Sequence, residues 1–201
     1  MTTLDDRPRH VPARLGGILS EAERLGFDMS CDLRTGAFLS MLAASKRGGV
    51  VVELGTGAGA GSAWLLDGMD PTARLVSVEA EPRFQEVARR HLGDDPRVRF
   101  VHDDAERWLR TYEGPRFDLA FVDCRPGKFT GLDRLVRLLR PGALYVGDDL
   151  KPQPTWPDGH QSRVDRFVRE LHRHDRMRWT LMDWASGLVV AARLGDPPYL
   201  A

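Results

Sequence analysis

The run Val50-Val51-Val52-Glu53-Leu54 leads without a break into Gly55-Thr56-Gly57-Ala58-Gly59-Ala60-Gly61. β-Branched residues favour an extended strand, and four glycines in the next seven positions let the backbone turn sharply and approach a neighbour closely. A helical stretch through Trp64 and Leu66 follows at once, so the glycines stand between a strand and a helix N-terminus. That junction is the ligand-binding corner of an open α/β sheet.

The rest of the chain repeats the alternation. Strands are predicted at residues 75–78, 98–101, 117–122 and 143–146. The intervening helices are marked by Phe84, Val87, Ala88 and His91, by residues 105–109, and by Leu132, Leu135, Val136 and Leu139. Arg140-Pro141-Gly142 is expected to break the last of these before the fifth strand. Such units give parallel strands joined by right-handed crossovers, with helices on both faces. The end differs: a helix with Val164, Phe167, Val168 and Leu171 inward, then runs at 179–182 and 188–192 flanking Ala185-Ser186-Gly187, which reads as a hairpin. Upstream, a short helix over 14–25 stops at Gly26. A second helix, capped by Ser30 or Asp32, carries Leu33, Ala37, Phe38, Met41 and Leu42 on one face. The expected organisation is a tail and helix over 1–29 and one α/β domain over 30–201.

The ligand of the glycine corner is the next question. Gly55, Gly57 and Ala60 satisfy the G-x-G-x-x-G/A pattern of dinucleotide sites, so NAD(P) must be weighed. Glu53 argues otherwise: its carboxylate beside the loop would repel a pyrophosphate. S-adenosylmethionine has no phosphate, and its ammonium and sulfonium are favoured by a nearby carboxylate. Glu79, ending the second strand, is placed to accept hydrogen bonds from ribose hydroxyls of either ligand.

In order along the chain stand Glu53-Leu54-Gly55-Thr56-Gly57-Ala58-Gly59, Val78-Glu79, Asp103-Asp104-Ala105 and Phe117-Asp118-Leu119-Ala120-Phe121-Val122-Asp123, then Leu138-Leu139-Arg140-Pro141-Gly142 and Asp148-Asp149. The sequence from about Ser30 onward resembles class I S-adenosylmethionine-dependent methyltransferases, most of all the catechol O-methyltransferase-like small-molecule group. The resemblance implies a Rossmann-like, doubly wound α/β fold: a mostly parallel seven-stranded sheet, an antiparallel C-terminal hairpin and N-terminal helices. It also implies that Glu53 and the loop from Gly55 through Thr56 and Gly57 to Gly59 line the methionine and sulfonium part of S-adenosylmethionine, that Glu79 holds the ribose, that Asp104 and the Ala105 amide read the adenine, and that Asp123 is a further cofactor-binding residue. The family often has serine where Gly61 stands; here Ser62 follows one place later.

Asp123 ends the fourth strand and Asp148-Asp149 the fifth, so all three should face the ligand crevice. Clustered carboxylates tolerate one another when a hard divalent cation such as Mg2+ sits among them. In the resembling family the matching positions hold such a metal, which chelates and acidifies the acceptor hydroxyl; asparagine is usual where Asp149 stands. The alternative is that these aspartates cap helices and turns. Lys128, in Asp-Cys-Arg-Pro-Gly-Lys-Phe, is the candidate general base alongside Asp123, although Pro126-Gly127 lengthen the spacing found in many relatives; otherwise it is a solvated lysine on a turn. In Lys151-Pro152-Gln153-Pro154-Thr155-Trp156-Pro157-Asp158-Gly159-His160, Trp156 is placed to stack on a planar substrate and His160 to act as base or ligand. Otherwise the prolines stiffen a long connection and His160 begins a helix.

Composition limits the partners. Lys+Arg and Asp+Glu are both 29, so no dominant positive field exists for nucleic acid or an anionic membrane. Arg163, Arg166, Arg169, Arg173, Arg176 and Arg178 read as a solvated face. Cys31 and Cys124 form no metal or disulfide pattern, which fits a cytoplasmic setting. The expected activity is methyl transfer from S-adenosylmethionine to an oxygen of a small-molecule acceptor, with the resemblance adding a homodimer. The competing readings are an NAD(P)-dependent oxidoreductase, for which neither Tyr112 nor Tyr145 has a lysine four residues on, and a non-catalytic nucleoside-binding module.

Overall fold

The structure, a computed structural model, describes residues 5–153 and 156–195. The element order is α1 (Leu15–Arg24), α2 (Leu33–Ala44), β1 (Val50–Leu54), α3 (Ala60–Gly68), β2 (Arg74–Glu79), α4 (Pro82–Leu92), β3 (Val98–His102), α5 (Ala105–Thr111), β4 (Phe117–Val122), α6 (Leu132–Leu138), β5 (Leu139–Gly147), α7 (His160–Arg173), β6 (Met177–Met182) and β7 (Leu188–Arg193). The sheet runs β3-β2-β1-β4-β5-β7-β6. Strands β1 to β5 pair in parallel, and β7 pairs antiparallel with both β5 and β6. The strand order reverses at β1, so the glycine corner lies at the topological switch point where open α/β sheets bind ligands.

The central strands are buried on both faces, as parallel strands under crossover helices must be: Val51, Val52, Leu54, Phe117, Leu119, Ala120 and Val122 are sealed from solvent. Two apolar layers result. One packs α1 to α4 against the sheet and includes Leu15, Ile18 and Ala22, so α1 shares the core of the α/β unit. The other packs α5, α6 and α7, with Trp108, Leu135 and Phe167. On α7 the arginines at 166, 169 and 173 are exposed while Val164, Phe167 and Leu171 are buried.

Two local expectations change. Asp32, not Ser30, caps α2 by accepting a hydrogen bond from the Arg34 N–H at 2.8 Å. The buried face of α2 is Thr35, Gly36, Leu39, Leu42 and Ala43, while Leu33 and Met41 stand 43% and 55% exposed. Close packing selected the small residues: a Cβ on Gly36 would overlap the Trp64 indole of α3, and one on Gly68 would overlap the Ser40 carbonyl. The second change is at β5, which begins at Leu139, before the expected breaker. Leu139 pairs with Phe117 and Leu144 with Leu119, so Arg140-Pro141-Gly142 is absorbed as an irregularity in the ladder.

Candidate active site

β1 delivers Glu53 into the interior with no exposed surface. Its register partner on β2 is Ser77, whose hydroxyl donates to Glu53 Oε2 at 2.5 Å; the Ser62 hydroxyl, from the first turn of α3, donates to the same oxygen. The other oxygen, Oε1, has no partner among the described residues. Burial pushes the Glu53 carboxyl up to about 7, against the two hydroxyls, which favour its ionised form, and with some help from the charge of Glu79. Gly61 makes this arrangement possible, because a side chain there would collide with Glu53 Oε1. Ser62 therefore serves the carboxylate from inside the fold, which accounts for the glycine-serine order.

The loop after β1 is held from the neighbouring strand. The Gly55 N–H donates to the Val78 carbonyl at 2.9 Å, and the Gly57 N–H to Glu79 Oε2 at 2.8 Å. Glu79 Oε1 accepts from the N–H groups of Ala80 and Glu81, both at 2.9 Å. Gly59 caps α3 at φ +101°, a conformation side chains avoid, and a Cβ there would come within 2.6 Å of Ala88 Cβ on α4.

Two cavities meet beyond the carboxyl ends of β1, β4 and β5. The first, of 270 Å³, is lined by Glu53, Gly55, Thr56, Gly57, Glu79 and Asp123, closed by Phe27 and Phe84, whose rings lie 4.5 Å apart. The second, of 460 Å³, is lined by Asp148, Asp149, Gln153, Trp156, His160 and Ser186. Asp123, Asp149 and Met29-Ser30-Cys31 belong to both walls. A larger groove of 700 Å³ between α6 and α7 shares no residue with either, and none of its lining is a buried polar group lacking a partner.

Of the residues expected at a cofactor, Glu53, Gly55, Thr56, Gly57, Glu79 and Asp123 thus share one cavity. Gly59, Ser62, Asp104 and Ala105 stand outside its wall; the Asp104 carboxylate caps α5 by accepting from the Arg107 N–H at 2.9 Å. Trp156 and His160 line the second cavity with rings stacked at 4.1 Å, and His160 is also the first residue of α7. Burial, then the nearby charge of Lys128, lowers the His160 pKa. Trp156 Nε1 and His160 Nε2 have no partner among the described residues.

The acidic trio does not behave as one ligand set. Among the described residues, no three His, Cys, Asp or Glu side chains come together with the spacing a metal ion needs. Asp148 is buried; its Oδ1 accepts from the Ser186 hydroxyl and from the Asp149 N–H at 2.7 Å. Asp149, at φ +62°, accepts from Gln153 Nε2 at 2.7 Å. Burial raises the Asp123 carboxyl well above the ordinary range, reinforced by the charges of Asp148 and Asp149. Asp148 is pushed up to about 6, mainly by burial. Lys128 lines neither cavity and is not a solvated turn residue: it is 2% exposed, and its Nζ donates to the Asp148 carbonyl at 2.6 Å.

Sequence reasoning missed Ser77, Ser186 and the 27–31 segment. Ser77 left a trace, as a polar residue in the middle of an otherwise apolar parallel strand. The others had none, because they reach the site only through tertiary packing.

A methyltransferase-domain family matches residues 52–150. A "Putative O-methyltransferase" of Mycobacterium sp. (strain JLS) is 30% identical over 224 residues, covering 96% of this chain and all of that protein. The chain belongs to the class I S-adenosylmethionine-dependent O-methyltransferases, in the catechol O-methyltransferase-like group. A second relative, from Mycolicibacterium vanbaalenii, is 32% identical over 79% of this chain and 74% of its own. The O-methyltransferase TomG from Streptomyces achromogenes, solved with its methyl donor, superimposes with a TM-score of 0.80 at 26% identity, covering 91% of this chain and 90% of that one. This O-methyltransferase transfers methyl groups from S-adenosylmethionine to an oxygen of a small-molecule acceptor. Among its described residues, no helix is long and apolar enough to cross a membrane.

Proposed function

We propose that the 270 Å³ cavity holds the methyl donor and the 460 Å³ cavity the acceptor, with Asp123 at their common wall. The observation that carries this reading is Glu53: a fully buried carboxylate, held on one oxygen by two hydroxyls and without a partner on the other, facing a glycine loop. A buried anion with an unmet oxygen suits a cationic ligand and opposes a phosphate. The residues present therefore fit S-adenosylmethionine. Glu53 would stabilise the charge of its methionine end, Glu79 would accept from a ribose hydroxyl with its one remaining lone pair, and Phe27 and Phe84 would cover apolar parts. Asp104 and the Ala105 amide are assigned to the adenine by resemblance.

When bound, S-adenosylmethionine supplies an electrophilic methyl group, whose carbon–sulfur bond breaks as a carbon–oxygen bond forms. The chain's own residues align and deprotonate the acceptor. Asp123 touches both cavities, so its carboxylate is the group best placed to orient an acceptor hydroxyl and take its proton. Trp156, stacked on His160, offers a flat face to a planar acceptor. Lys128 is assigned no proton transfer, since it lies behind the acceptor wall. The expected divalent cation has no ready set of ligands at Asp123, Asp148 and Asp149, so no step is routed through one. A cytoplasmic setting and a homodimer through the N-terminal helices complete the reading.

Calorimetric titration with S-adenosylhomocysteine, NAD and NADP tests the ligand assignment: saturable binding of the first alone supports it, and binding of a pyrophosphate nucleotide in its place refutes it. Asp123→Asn should lower kcat by about 10²–10⁴-fold while leaving S-adenosylhomocysteine affinity within a few-fold. An unchanged kcat would remove Asp123 from the chemistry.

A further inference from the structure

The sequence between β4 and α6 puts proline and glycine ahead of Lys128, and the fold uses both to send the lysine inward. Gly127 sits at φ +86°, where a Cβ would come within 2.7 Å of Leu54 Cδ1. Its N–H donates to the Thr130 carbonyl at 2.7 Å, and its carbonyl accepts from the buried Tyr145 hydroxyl at 3.0 Å. The Arg125 carbonyl accepts from the Phe129 N–H at 2.8 Å. The turn is thus pinned on both sides, and the side chain it projects is buried to 2% exposure with Nζ on the Asp148 main chain.

A buried ammonium needs anions close by, and clustered carboxylates need a cation. Lys128 Nζ is anchored on the main chain of Asp148 at the end of β5, which lies beside the end of β4 that carries Asp123. One oxygen of Asp148 and one of Asp149, meanwhile, are met by hydrogen-bond donors: the Ser186 hydroxyl and the Asp149 N–H on Asp148 Oδ1, and the Gln153 amide on Asp149 Oδ1. A hard divalent cation takes six or more oxygen ligands, and donors on these two oxygens compete with it for their lone pairs. The carboxylates also fail to converge on a common point.

We propose that Lys128 is a built-in cation that takes the place of a divalent metal behind the acceptor site, so that this O-methyltransferase binds its ligands without Mg2+, Mn2+ or Ca2+. Lys128 is on this account a positioning residue. It holds the β5 end and the acidic wall in place from behind and touches neither ligand. The inference rests on the assignment of the two cavities above.

The test is a thermal-shift and calorimetric titration of the full chain with MgCl2, MnCl2 and CaCl2, matched for ionic strength with NaCl, with and without S-adenosylhomocysteine. The wild type should show no saturable response to any of the three. Lys128→Met should melt lower by about 5 °C and recover part of that loss with at least one divalent cation, whereas Lys128→Arg should stay metal-indifferent. A purely structural lysine would not create a metal response when removed. Saturable uptake of a cation by the wild type, or a Lys128→Met protein that ignores all three, overturns the proposal. If Lys128→Met does not fold, the wild-type titration decides alone. The S-adenosylhomocysteine isotherm of the same wild-type sample separates the two ideas: its loss counts against the donor cavity, whereas a metal response beside intact binding counts only against Lys128.

Discussion

Replacing Glu53 with glutamine isolates the charge on which the donor site depends. Glu53 is fully buried and its carboxyl is pushed from 4.5 up to about 7, mainly by burial. The folded chain therefore holds this proton more tightly than the unfolded chain. Its contribution to stability is greatest below pH 4.5 and is lost as pH rises from 4.5 to 7, a difference of about 3 kcal/mol from the 2.5-unit gap at about 1.36 kcal/mol per unit. A cationic donor reverses the preference, because it favours the ionised carboxylate. Binding of S-adenosylhomocysteine, which keeps the ammonium, should then expel the Glu53 proton: most of a proton per site at a pH below 7, and much less at a pH above it. Calorimetry in two buffers of different ionisation enthalpy counts those protons directly. Glu53→Gln keeps the shape and an acceptor for Ser62 and Ser77 but has no proton to release. The variant should show no proton release, a flatter stability–pH curve between pH 5 and 7, and a larger loss of affinity for S-adenosylmethionine than for S-adenosylhomocysteine, since only the former carries the sulfonium. Equal proton release by wild type and variant would refute the reasoning.

Two further substitutions test the scaffold around that charge. Glu79→Ala removes the acceptor of three backbone N–H groups, from Gly57, Ala80 and Glu81, and should weaken S-adenosylhomocysteine binding at least tenfold while costing about 1–3 kcal/mol of stability in urea unfolding. Gly36→Ala places a methyl group in the Trp64 ring and should cost about 1–3 kcal/mol in the same assay while leaving the proton release of Glu53 intact.

The legible parts of this fold are those in which neighbours along the chain decide the outcome. The alternation of β-branched runs with helical stretches gave the parallel strands, and the Ala185-Ser186-Gly187 turn gave the antiparallel finish. The face of α2 was not legible. Leu42 is buried and Ala37 and Phe38 pack against the core, but Leu33 and Met41, of the same apolar stripe, stand exposed, because the buried face is chosen by how closely α3 can approach, and Gly36 and Gly68 allow that approach. The site divides in the same way. Glu53, the glycines and Glu79 could be placed from local order, because strand ends and the loop after β1 share one edge of the sheet. Ser77 became a partner of Glu53 only through the β1–β2 register, and Ser186 reached Asp148 only because the terminal hairpin folds back beside β5.

Spacing and residue type along the chain determined an α/β sheet with an acidic, phosphate-averse glycine corner, because strand period, glycine freedom and local charge act over a few neighbouring residues. Only the tertiary structure decided what the acids do. Whether a carboxylate keeps its proton or meets a hydroxyl, and whether an ammonium is buried near it, depends on burial and on partners tens of residues away. That is why Lys128, which reads as a candidate base in the crevice or a solvated lysine on a turn, lies buried behind the Asp148 main chain.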